Sequence, residues 1–200
     1  MIVTSIQLWI TKERTSQKNM EPLTGQGEAQ VGGAFTLTDH TGKIVRDTDF
    51  QGKILLVYFG FTQCPDVCPA TLMTLTKTMA LLGDKADQVT PLFISVDPGR
   101  DTPEVLANFL SNFDKHIIGL TGTPEQIKQV EETYKVYAAK KETPKTPQDA
   151  AKFEDTSADY SVDHSSYLYI MDRDGKFLTV MPSDAKPQEI SNTISRYLGQ

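Results

Sequence analysis

The stretch Ile54-Leu55-Leu56-Val57-Tyr58-Phe59-Gly60-Phe61-Thr62-Gln63-Cys64-Pro65-Asp66-Val67-Cys68-Pro69 decides how this chain reads. Its first seven residues form a continuous apolar run rather than an alternating one, the pattern of a central strand covered on both faces. Behind Pro69, Leu72, Leu75, Met79 and Leu82 recur at helical spacing over Ala70–Leu82, and Gly83 supplies a stop. The only two cysteines of the chain therefore fall at a strand-to-helix junction.

Outward from there, strands and helices alternate. Leu92–Val96 reads as a second buried strand, followed by the turn Asp97-Pro98-Gly99-Arg100-Asp101. Thr102 is a natural N-cap with Pro103 in the first turn, and Val105, Leu106, Phe109 and Leu110 supply that helix's buried face. Ile117–Leu120 is a short strand. Thr123-Pro124 repeats the cap-plus-proline start, and Ile127, Val130 and Tyr134 continue the helix. Hairpins are expected at both ends. Ala34–Thr38 and Lys43–Val45 flank Asp39-His40-Thr41-Gly42, and Ser166–Met171 and Lys176–Val180 flank Asp172-Arg173-Asp174-Gly175. A last helix begins at Pro187 and runs through Ile190, Ile194 and Leu198. Right-handed crossovers make the central strands parallel, and ligands of such sheets collect at the carboxyl ends of the strands, where the cysteines lie.

Two segments stand apart. Met1–Ile10 is mostly apolar and uncharged, about half the roughly 20 residues of a spanning helix, and lacks the basic start of a secretory signal. It reads either as a packed terminal segment or as the remnant of a membrane anchor. A polar linker fills residues 11–30, so the expected division is 1–30 as start and linker and 31–200 as one domain. Residues 140–159 are polar with few apolar anchors, long enough to imply a flap or a disordered insertion before the final hairpin.

The 200 residues, 38% hydrophobic and 23% charged, fit one ordinary globular domain. A net charge of −6 without a basic cluster disfavours nucleic acid as a partner. Two cysteines are too few for a disulfide scaffold, so redox or metal chemistry is the better reading.

On a helical face, residues four apart have Cβ atoms about 5–6 Å apart. Modest adjustment would close a disulfide, and two thiolates could equally meet one zinc-like ion at about 2.3 Å each. Helix amides and the positive end of the dipole are expected to lower a thiol pKa there. Structural zinc wants four ligands, and only His40, His116 and His164 remain to supply them. Copper is content with two or three soft ligands, so it stays open beside a redox pair. His40 and His116 read as turn residues, whereas His164 follows the long insertion and precedes a strand. A thiol peroxidase would want Thr-x-x-Cys, but Thr62 lies two residues before Cys64, not three.

Taken together, Gly-Phe-Thr-Gln-Cys64-Pro-Asp-Val-Cys68-Pro, Ser-Val-Asp97-Pro-Gly-Arg100-Asp101-Thr102-Pro103, Ile-Ile-Gly-Leu-Thr-Gly-Thr and Tyr160-Ser-Val-Asp163-His164-Ser resemble the Sco/SenC family of thioredoxin-like copper chaperones. The resemblance runs from about Val31 to Leu198. It implies a thioredoxin-like α/β fold and one copper ion, Cu(I) or Cu(II), bound by Cys64, Cys68 and His164. It also implies delivery of copper to, or maturation of, the copper centre of cytochrome c oxidase. The alternative is a thiol–disulfide oxidoreductase in which Cys64 and Cys68 form the redox pair that reduces the receiving partner's cysteines. Implied partners are the copper-receiving oxidase subunit, other copper chaperones and thioredoxin-like reductants. The implied location is the periplasmic side of a bacterial inner membrane, or the mitochondrial intermembrane space, usually through an N-terminal anchor. Asp97, Arg100 and Asp101 read most simply as a turn and cap network, and Asp66 and Asp163 as charges beside the site.

Overall fold

The computed structural model describes residues 31–142, 160–164 and 167–199, with backbone alone for 139–142 and 160–164. The apolar start, its linker and most of the insertion lie outside the described residues. No described helix is long and apolar enough to cross a membrane.

Strand β3 (Ile54–Gly60) is buried at all seven positions, as its unbroken apolar run requires. Strand β4 (Val89–Ser95) is buried throughout as well, and the two pair in parallel from Ile54 opposite Val89 to Gly60 opposite Ser95. On the far side of β4, β5 (Ile118–Thr121) adds a third parallel strand. The hairpin β1 (Thr36–Asp39) and β2 (Ile44–Arg46) closes that edge antiparallel to β5. The hairpin β8 (Tyr167–Met171) and β9 (Phe177–Pro182) closes the other edge antiparallel to β3. The result is a seven-stranded mixed sheet in the order β2-β1-β5-β4-β3-β8-β9.

Side chains alternate across β3. On one face Tyr58 lies 6.0 Å from Phe93, which lies 5.9 Å from Phe109 of α2 (Pro103–Leu110). Helix α1 (Val67–Leu82) covers that face beside α4 (Pro187–Leu198). On the opposite face Phe59 packs 5.4 Å from Tyr134 of α3 (Pro124–Tyr134) and 6.0 Å from Tyr169. The caps form as the sequence requires. Thr102 Oγ1 accepts from the Val105 amide, and Thr123 and Gln126 complete a reciprocal capping box.

Three expectations need correction. Val105 is 38% exposed, because α2 is short and seats Leu106 and Leu110 instead. Helix α1 begins at Val67, three residues early; Pro69 is tolerated in a first turn whose amides have no helical partner anyway. The insertion is not loop from its first residue. Strand β6 (Ala138–Glu142) pairs antiparallel with β7 (Tyr160–His164) in a separate ribbon, with Ala138 opposite His164.

Candidate metal centre

Cys64 ends the turn after β3, and Cys68 is the second residue of α1. The expected shared helical face is therefore not what brings them together. The turn does: the Cys68 amide donates to Cys64 Sγ at 3.4 Å, so the sulfur occupies the capping position that Asp66 leaves unused. The Cys64 amide in turn donates to the Phe61 carbonyl at 3.3 Å. Both cysteines are free thiols.

They are not alike. Cys64 is half-exposed, whereas Cys68 is 0% exposed. The Cys68 sulfur accepts from the Tyr58 hydroxyl at 3.4 Å. Gly60 leaves room for it, since a Cβ at that position would lie 2.9 Å from Cys68 Sγ and 2.6 Å from Phe93 Cε2. The lowered pKa expected at a helix start does not hold for Cys68. Burial pushes its thiol up to about 12, outweighing the hydrogen bonds from Tyr58 and the Phe61 backbone that favour the thiolate. Burial likewise raises the Tyr58 phenol.

A second loop fixes the first. Asp101, fully buried behind β4, accepts from the Thr62 amide at 3.0 Å, from Thr62 Oγ1 at 2.6 Å and from Ser95 Oγ at 2.6 Å. Desolvation raises its pKa against the pull of those three donors. Arg100 forms an ion pair with Asp97, donates to Gln63 Oε1 at 3.0 Å and stands 5.9 Å from the Phe61 ring centroid. The segment read as a turn and cap network also reaches across to Phe61, Thr62 and Gln63, the three residues that lead into Cys64. A signal was available. Thr102 performs the capping, which leaves the Asp101 carboxylate needing partners elsewhere. Tyr58 carried a similar signal, as a hydroxyl in a strand buried on both faces must find an acceptor.

The structure brings Cys64 and Cys68 together; the imidazole of His164 is outside the described side chains. His116 instead bonds Asp114 Oδ1 at 2.6 Å and Asp87 Oδ1 at 3.2 Å, and His40 Nδ1 accepts from the Gly119 amide at 3.1 Å. Both are structural. Among the described residues no group of three His, Cys, Asp or Glu side chains gathers into a metal cluster.

A mixed sheet with flanking helices and a dithiol at the β3–α1 junction defines a thioredoxin-like domain. The SCO1/SenC family model matches residues 24–199, and the chain belongs to that family. It is 38% identical to Protein sco1 of Schizosaccharomyces pombe over 187 residues, 93% of this chain and 68% of that protein. Among solved structures it matches Bradyrhizobium japonicum ScoI with copper bound, with a TM-score of 0.73 and 42% identity, covering 84% of this chain and 99% of that one. The fold extends to BsSco, described as a member of the Sco family of cytochrome c oxidase assembly proteins, with a TM-score of 0.61 and 24% identity over 82% of this chain and 91% of that one.

Proposed function

We propose that this protein is a copper metallochaperone that delivers copper to, or helps mature, the copper centre of cytochrome c oxidase, with Cys64, Cys68 and His164 holding one ion. The observation that carries this reading is the pair of free thiols at one turn, one half-exposed and one buried, in a family whose copper-bound ScoI matches this fold. Two thiols are a soft donor set that suits copper, and two ligands fall short of a structural zinc site. Loading requires both sulfurs to give up their protons, and copper is soft enough to compete for the buried one.

Backbone topology supports His164 as the third ligand. Leu168 pairs with Tyr58, so β8 starts at the Gly60 end of β3. His164 precedes Tyr167 by three residues, a chain length that spans at most about 10 Å. A Cu(I) ion with two thiolates and a neutral imidazole carries one positive charge against two negative, a net of −1 that tolerates partial exposure. The half-exposed Cys64 is the sulfur a partner's thiolates reach first, so transfer proceeds by stepwise exchange from that side. The site operates on the periplasmic side of a bacterial inner membrane or in the mitochondrial intermembrane space. The partner is the copper-receiving oxidase subunit.

The same unequal thiols favour a second reading, a thiol–disulfide oxidoreductase. Cys64 attacks a partner disulfide and Cys68 resolves the mixed disulfide, passing two electrons and two protons to the partner's cysteines. Metal analysis with absorption spectra distinguishes the two. Wild type should bind one copper per chain, Cys64→Ala should lose tight binding, and His164→Ala should weaken it. Full affinity in the double Cys64/Cys68 alanine variant would refute the copper site. A dithiol potential too oxidising to reduce a partner disulfide would remove the second reading.

A further inference from the structure

The Tyr58 hydroxyl makes a contact that ring packing does not account for. It is fully buried in the middle of β3, and its ring fills space against Phe93, a task phenylalanine would perform equally well. What a phenylalanine lacks is the hydroxyl that reaches Cys68 Sγ at 3.4 Å. Burying a hydroxyl without a partner is costly, and here Thr71 and one of the two sulfurs are its partners, the hydroxyl donating to the sulfur. Gly60, two residues along the same face, holds the slot open, because any Cβ there would press on both Phe93 and that sulfur. Each sulfur has a backbone donor, the Cys68 amide on Cys64 and the Phe61 backbone on Cys68, and Cys68 takes the phenol besides.

We propose that Tyr58 is a positioning residue for the copper-bound site, donating its O–H to the Cys68 thiolate so as to stabilise charge on that sulfur and favour Cu(I) over Cu(II). This rests on reading Cys64 and Cys68 as copper ligands. A hydrogen bond to an ionised acceptor is roughly twice as strong as one to a neutral acceptor, so the phenol holds the loaded, anionic sulfur more firmly than the metal-free thiol. Such outer partners of ligands commonly govern metal affinity. With two thiolates, Cu(I) leaves a net −1 and Cu(II) a net of zero, so a donor aimed at sulfur helps the cuprous form more.

Substituting Tyr58→Phe in the full chain tests this. The thiolate-to-Cu(II) charge-transfer band should move to longer wavelength, since the sulfur loses its donor. Copper affinity against a chelator should fall about tenfold, more for Cu(I) than for Cu(II). Tyr169→Phe serves as a control: that ring packs against Phe59 and Tyr134 on the other face of the sheet, and the substitution should leave the band in place. Placing 3-fluorotyrosine at position 58 strengthens the donor without emptying the slot and should move the band to shorter wavelength, so the test survives poor folding of the Tyr58→Phe variant. A wild-type band position and affinity in both position-58 proteins would overturn the role of Tyr58. If the wild type itself binds copper without a thiolate band, the copper reading of the cysteines fails first and this inference falls with it.

Discussion

Replacing Asp101 should loosen the cysteine turn without touching a cysteine. In Asp101→Ala, three donors lose their acceptor: the Thr62 amide, Thr62 Oγ1 and Ser95 Oγ. A buried donor left unsatisfied costs about 1–3 kcal/mol. Thr62 is only part-buried and regains some water, so a net loss of about 3 kcal/mol is expected rather than the full sum. Asp101→Asn keeps the shape and one acceptor oxygen, and should cost about 1 kcal/mol. The pH dependence separates the two roles of the carboxyl. Its folded pKa is raised above the ordinary 3.8, so the native state binds that proton more tightly than the unfolded chain. Stability contributed by Asp101 is therefore greatest at acid pH and declines as pH rises from the ordinary carboxylate range through the raised value. Asparagine does not titrate. The advantage of wild type over Asp101→Asn should consequently shrink as pH rises above the ordinary carboxylate range, measured by urea unfolding of the reduced, metal-free protein. Copper competition at neutral pH should show Asp101→Ala binding more weakly, because Cys64 lies two residues beyond Thr62. An alanine variant within about 1 kcal/mol of wild type, or a wild-type advantage that grows with pH, would refute the reasoning.

Other outcomes follow from the same packing. Gly60→Ala places a Cβ against Phe93 and Cys68 Sγ at 2.6 and 2.9 Å, and overpacking of this kind should cost about 1–3 kcal/mol in denaturant unfolding while displacing Cys68; unchanged stability would show that the slot has slack. In the metal-free dithiol, alkylation at about pH 8 followed by mass spectrometry should label Cys64 first. A Cys68 pKa of about 12 leaves roughly one part in ten thousand of that buried thiol ionised, and equal labelling would contradict the asymmetry.

The sheet was legible where burial dictates the pattern. A strand covered on both faces has to be apolar throughout, so β3 and β4 announce themselves, and Thr102-Pro103 and Thr123-Pro124 mark helix starts by the chemistry of the cap. The ribbon was not legible, because Ala138-Ala139-Lys140-Lys141-Glu142 has neither alternation nor strand propensity, and its pairing comes from Tyr160–His164 across the insertion. Cys68 misled for a different reason. Helix-start chemistry is local and visible in sequence, but burial depends on what α1 packs against, and in this protein burial wins. The tie from Asp101 to Thr62 spans 39 residues and follows only once β3 and β4 lie side by side.

That adjacency explains why the thiols differ. Parallel pairing carries Val96 to the Gly60 carbonyl, at 2.9 Å, so the turn after β3 and the turn after β4 leave the sheet together. The second turn then grips the first through Asp101 and Arg100 on the side of Phe61, Thr62 and Gln63, ahead of Cys64. Cys68 is held from below instead, by the Tyr58 hydroxyl and the slot over Gly60. One sulfur is thus positioned by a loop clamp at the surface and the other by the sheet itself. On the proposed copper reading the site would use both: a sulfur close enough to solvent to exchange, and another anchored deeply enough to retain the ion until exchange is under way. On this argument loosening the clamp should disturb Cys64 first, whereas changing Tyr58 or Gly60 should act through Cys68. The double variant Asp101→Ala/Tyr58→Phe should therefore show near-additive losses of copper affinity, and strong coupling between the two would mean that the clamp and the sheet do not act on separate sulfurs.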